Sequence, residues 1–246
     1  MKPQRSLILV FLLVLIAGPL WAQQRKIDSL QHLVNTLPAS DTSHIRALLL
    51  MSESYIGNEP VRARAYLDAG LRLSEQHGYK AGIALASLGI GKYHIDRRQL
   101  DSALWYVRRG LAIYKKLQRA LGMGNAHNYL GMIHGMRDEH REAIAEFTEA
   151  ARIYGEIGRR DRMAHALGNS GVHYHDQGIY DSAATVFERA LRLCEEVGDK
   201  SGVAAQCINL ANTFVGDSLK MVYYAKGYEL FTEIGDSQGA NHALYH

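Results

Sequence analysis

The chain has 246 residues, 47% of them hydrophobic and 22% charged, enough apolar content to bury a sizeable core. Its formal charge is +3, and two of those positive charges, Lys2 and Arg5, lie in the first 22 residues, leaving +1 on the remainder. A body so close to neutral carries no electrostatic footprint for nucleic acid.

The N-terminus reads as a secretory signal peptide over residues 1–22: Lys2 and Arg5, the apolar run Leu7 to Ala17, the breakers Gly18 and Pro19, then Ala22 as the cleavage residue. The competing reading, a membrane anchor, is weaker because the run falls short of the ~20 residues a spanning helix needs. No cysteine follows the run, which argues against a lipid-modified terminus. Export to a periplasmic or extracytoplasmic space is therefore expected. Residues 23–43, with Lys26-Ile-Asp-Ser-Leu30 and Leu37-Pro-Ala-Ser-Asp-Thr42, read as a leader helix and linker.

From residue 44 the chain repeats itself every 40 residues. Ala86, Ala126 and Ala166 align, as do Gly91, Gly131 and Gly171, then Ala103, Ala143 and Ala183, and Val107, Phe147 and Phe187. In the unit from Arg159 to Gly198, Ala164, Ala166, Ser170, Gly171 and Tyr174 form the stripe of a first helix that breaks at Gln177-Gly178. Asp181 and Ser182 are predicted to cap a second helix, whose apolar residues Ala183, Phe187, Ala190, Leu191 and Cys194 recur three and four apart. Earlier, Ala63, Leu67 and Gly70 keep the second-helix register, although Met51 stands where Gly is expected. Later, Leu210, Ala211 and Phe214 open another unit. Ile234-Gly235 then follows Val197-Gly198 by only 37 residues, so about three are lost near Gly216-Asp217. Residues 44–236 thus form about five helix pairs with degenerate first and last members, and 237–246 begin a further, incomplete one.

This pattern resembles the tetratricopeptide repeat, whose signature is a Leu-Gly pair, a Tyr three residues on, then Ala, Phe and Ala in the second helix. Leu130, Gly131, His134, Ala143, Phe147 and Ala150 fill the slots in one unit, and Ser170, Gly171, Tyr174, Ala183, Phe187 and Ala190 in the next. Ile90, Gly91, His94, Ala103, Val107 and Gly110 make a weaker copy. The resemblance implies an all-α tetratricopeptide-repeat superhelix, an α-solenoid of antiparallel helix pairs. The 40-residue period exceeds the ~34 of the shortest such repeats and is similar to that of kinesin light chains and periplasmic regions of bacterial sensor proteins.

Chemistry is harder to find. His173, His175 and Asp176 form the densest cluster, but residues two apart on a helix point about 200° apart and cannot close on one ion. His94 and His134 occupy the slot that Tyr174 fills and read as packing residues. Gly91-Lys92 lacks the other elements of a phosphate loop, and no serine or cysteine has an identifiable catalytic partner. Neither a metal nor a cofactor is expected, and the chain reads as non-catalytic. Cys194 and Cys207 have two readings, a disulfide in an oxidising space or two small buried hydrophobes. The second is preferred, since spacing alone cannot establish the required Cα separation.

The resemblance points instead to a peptide-binding groove lined by first helices. One position before the Leu-Gly pair stand Tyr129, Asn169 and Asn209, with Asn128 one residue earlier and Asn212 one turn after Asn209. An exposed Asn offers a donor and an acceptor, which suits gripping a peptide backbone, and in kinesin light chains Asn at this place contacts peptide ligands. Lys92, His165 and His175 should border the same groove. The plainer alternative is that these amides cap or solvate helices. The expected partner is a protein or extended peptide, with no nucleic acid and no membrane insertion after cleavage. Two classes stay open: the sensing region of a signalling protein, or a free-standing periplasmic adaptor that dimerises or docks through its C-terminal end. A metal-dependent enzyme using the histidine cluster is the minor alternative.

Overall fold

The computed structural model describes residues 24–214 and 217–244, so the signal peptide expected over 1–22 lies outside the described residues. Residues 24–36 form α1, followed by α2 (Thr42–Tyr55), α3 (Pro60–Gln76), α4 (Lys80–Asp96), α5 (Leu100–Lys116) and α6 (Ala120–Gly135). Then come α7 (His140–Glu156), α8 (Arg160–Asp176), α9 (Tyr180–Val197), α10 (Lys200–Thr213), α11 (Asp217–Glu233) and α12 (Ser237–Leu244). Among the described residues there is no strand, and no helix is long and apolar enough to cross a membrane.

The 40-residue period resolves into two 20-residue steps. At 78, 98, 118, 138, 158, 178 and 198 the backbone takes a positive φ, between 50° and 72°. Gly supplies the left-handed residue at four of these; Arg98, Gln118 and Asp138 supply the rest. The turn satisfies the helix end with its own backbone. After α8, the Gly178 N–H donates to the His175 carbonyl at 2.8 Å and the Ile179 N–H to that of Tyr174 at 2.9 Å. This turn overrides the expected capping by Asp181 and Ser182. Helix α9 begins at Tyr180 with Ile179 at the N-cap and no side-chain cap, leaving Asp181 in the first turn, where its charge favours the helix dipole.

The chain divides into two compact units between Tyr93 and His94. In the first, Leu30 of α1 joins Ala47, Met51 and Tyr55 of α2 and Ala63 of α3 in one buried cluster. Gly70 of α3 makes room for Leu49, and Gly89 of α4 for Leu67.

In the second unit, Ala164 of α8, Ala183, Phe187, Leu191 and Cys194 of α9, and Val203, Cys207 and Leu210 of α10 make one cluster across three helices. A parallel cluster unites Ala150, Ala151 and Tyr154 of α7 with Ala166 and Leu167 of α8 and Ala190 of α9. First helices neighbour one another: Arg162 of α8 donates to Asn125 of α6 at 2.9 Å, and Gly168 of α8 leaves space for the Gln206 side chain of α10. Phe231, Ala240 and Ala243 seat α12 on α11.

Cys194 and Cys207 are both fully buried, free thiols. Burial pushes each from 9.0 up to about 11, which leaves about a hundredfold less thiolate at pH 8 than an ordinary exposed cysteine holds. In Ellman titration at pH 8 the native protein should release almost no thionitrobenzoate until urea is added, after which both thiols should react promptly. Prompt reaction without denaturant would show that these cysteines are not core residues.

Candidate ligand-binding cleft

A cleft of about 280 Å³ lies between two successive first helices of the second unit. Met132 and Gly135 of α6, with Met136 just past its end, form one wall, Asn169, Val172 and His173 of α8 the other, and Phe147 of α7 the floor. Its shape follows from the repeat: Met132 and Val172 are 40 residues apart and so occupy the same register on successive helices. Gly131 and Gly135 keep α6 thin there. A Cβ on Gly131 would lie 2.8 Å from the Phe147 ring, and one on Gly135 would lie 2.6 Å from His173 Cε1. A second hollow, about 300 Å³ and lined by Tyr174, Asp181, Ser182, Thr185 and Val186, holds none of the expected groove residues.

The expected groove residues separate into groups. Asn169 is exposed at the cleft rim. Asn128 is half-buried and directs its amide at Met132 Sδ, 3.9 Å away, which places it beside the same cleft. Tyr129, also on α6, is half-buried. Asn209 lies one repeat beyond Asn169, half-buried, with only a long 3.4 Å hydrogen bond to Gln206, the residue that packs on Gly168. Asn212 is exposed but its carbonyl accepts from the Tyr224 hydroxyl of α11. His165 is exposed with Nε2 3.5 Å from Asp199, and His175 sits edge-on to Tyr180 at 5.4 Å. Lys92 belongs to the first unit, on α4, and is half-buried. The cleft is confined to the second unit and brings Asn169 together with the apolar Met132, Met136 and Val172, with Asn128 behind Met132.

The histidines are mostly tied into local contacts. His127 Nδ1 is 2.6 Å from Glu146, His134 pairs with Glu139, and His94 Nδ1 is 2.6 Å from Gln99 with its ring stacked on Tyr106. His94 and His134, expected as packing residues, are therefore half-buried rings with one nitrogen hydrogen-bonded at the rim. His173 stacks on Phe147, 5.8 Å between centroids. Burial, and then the neighbouring His140, hold His173 below the ordinary histidine range, so it is neutral at pH 7.

Residues 122–196 match the sequence model of the tetratricopeptide repeat family. No curated protein sequence matches the chain. Among solved structures it is similar to a Rap protein complexed with competence and sporulation factor, with 16% identity and a TM-score of 0.70 over 92% of this chain and 69% of that one. It is also similar to aspartyl phosphate phosphatase F from Bacillus subtilis, with 15% identity and a TM-score of 0.68. That match covers 81% of this chain and 53% of the phosphatase, so the chain spans about half of that protein's length. A signal transduction ATPase with a tetratricopeptide repeat sensor from Pyrococcus horikoshii matches at 13% identity and a TM-score of 0.69, covering 94% of this chain and 40% of the other. These likenesses fix the fold as a tetratricopeptide-type helical solenoid.

Proposed function

We propose that this tetratricopeptide repeat protein is a non-catalytic scaffold that grips an extended segment of another protein along the first helices of its second unit. The observation that carries this is Asn169, exposed at the rim of a cleft whose walls and floor are Met132, Met136, Val172 and Phe147. A free amide beside an apolar hollow offers both halves of peptide recognition, hydrogen bonds to the backbone and a seat for one apolar side chain. Asn209 repeats the amide 40 residues on, its weak bond to Gln206 easily exchanged for a ligand. The similarity to a Rap protein solved with a bound factor, and to an ATPase whose repeats act as its sensor, supports a sensing or interaction role. The N-terminal charge and apolar pattern supports export to the periplasm.

The test uses peptides selected from a random phage-displayed library on the purified protein, with affinity read by fluorescence anisotropy. Each lost hydrogen bond contributes about 0.5–1.5 kcal/mol. The Asn169→Ala, Asn209→Ala double variant should therefore bind about 10- to 100-fold more weakly, with an unchanged circular dichroism spectrum. Full affinity in the double variant would remove the groove reading.

A further inference from the structure

Three side chains from two helices meet where α7 begins and α8 ends. His140 is the first residue of α7, and His173 and Asp176 lie in the last turn of α8. One ligand atom from each lies within 4.8 Å of the other two. The two Nδ1 atoms are 3.1 Å apart, and Asp176 Oδ2 is 3.9 Å from His173 Nδ1. Nitrogen ligands at about 2.0–2.1 Å from a tetrahedral ion sit about 3.3 Å from each other. The imidazoles already stand at that spacing, and the exposed Asp176 carboxylate closes the remainder by a small side-chain rotation.

The site is held from behind. His173 lies flat on Phe147, with 10° between the ring planes, and its Cε1 and Nε2 edge fills the space that Gly135 leaves by having no side chain. Nδ1, the ring atom next to Cε1, faces His140. His175, which shares the short cluster in the sequence, sits edge-on to Tyr180 with its Nδ1 3.7 Å from Asp176 Oδ1, the other oxygen of that carboxylate, and is not in reach of both imidazoles. Its absence from the triad agrees with the opposed directions of residues two apart on a helix.

We propose that His140, His173 and Asp176 bind one divalent transition-metal ion of the zinc class, with solvent in the remaining position. Two imidazoles and one carboxylate favour zinc, cobalt or nickel over magnesium and calcium, which prefer all-oxygen sets. For both Nδ1 atoms to ligate, both rings carry their proton on Nε2, and the direct His140–His173 hydrogen bond is exchanged for two metal bonds. The ion joins the second helix of one repeat to the first helix of the next, so its effect is to fasten adjacent repeats.

The probe is cobalt(II) chloride titrated into the purified, chelator-treated protein and followed by visible absorption, with zinc chloride calorimetry alongside. One ion per chain is expected, with a midpoint of thermal unfolding that rises with zinc concentration. His140→Ala and His173→Ala should each weaken binding by more than the ~10- to 100-fold that loss of a ligand's hydrogen-bond partner costs. Asp176→Asn, at an exposed position that folding tolerates, should weaken it at least tenfold, and His32→Ala, exposed on α1, should not change it. Absence of stoichiometric cobalt binding, or equal affinity in Asp176→Asn and the unsubstituted protein, overturns the proposal.

Discussion

Phe187→Ala should lower the free energy of unfolding by about 3–5 kcal/mol, the range for removing a buried aromatic ring. Phe187 is 1% exposed and stands among Ala164, Ala183, Leu191, Cys194, Val203, Cys207 and Leu210, drawn from α8, α9 and α10. Nothing nearby can fill the void. Two of these neighbours, Ala164 and Ala183, are alanines, and the ring also packs against the backbone at Gly171. Because repeats in such arrays are stabilised chiefly by the next repeat, the loss loosens the α8–α9 pair from α10. Urea unfolding should show a lower midpoint, while Trp105→Ala, at a ring that is 59% exposed, should change it by no more than about 0.5 kcal/mol. A loss under about 1 kcal/mol for Phe187→Ala would mean that this cluster is not what joins the repeats.

The repeat was legible in the sequence wherever close packing demands a particular size. Gly131 and Gly171 recur because Phe147 and Phe187 lie against them. Helix starts were less legible. Asp181 looks like a cap, but the left-handed turn at Gly178 closes the preceding helix with backbone bonds and starts α9 at Tyr180. The same turn is hidden at Arg98, Gln118 and Asp138, where residues without glycine's freedom adopt it.

The place of Asn169 at the cleft rim was legible because one helix face carries the register, and Met132 and Val172 share a register position in the same way. Two other features required the fold itself. Asn212 is held by Tyr224, a helix away and beyond the three-residue loss that breaks the period. His140 and His173 stand 33 residues apart on different helices, a separation that no single-helix ligand spacing encodes. A search for metal ligands along one helix finds His175, which reaches Asp176 but not the two imidazoles.

Gly171→Val should cost at least about 3 kcal/mol, the upper end of overpacking a filled core. A Cβ built there stands 2.5 Å from Phe187 Cε1 and 2.7 Å from Cδ1, before the two methyl groups of valine are counted. The ring cannot swing away, because it is enclosed by α8, α9 and α10, and valine adds no helix propensity to offset the clash beyond the modest gain over glycine. Gly57→Ala, where a Cβ meets nothing within 4 Å, should stay within about 0.5 kcal/mol. The decisive measurement is the double variant. With Phe187→Ala in place, the valine at 171 extends into the space the ring has left, so the second substitution should add little. The two costs should then fall short of their sum by about 1–3 kcal/mol, a coupling expected only of residues in direct contact. Additive costs in urea unfolding would show that glycine is required at 171 for a reason other than the ring, and the size-matched pairing of Gly171 with Phe187 would lose its physical basis.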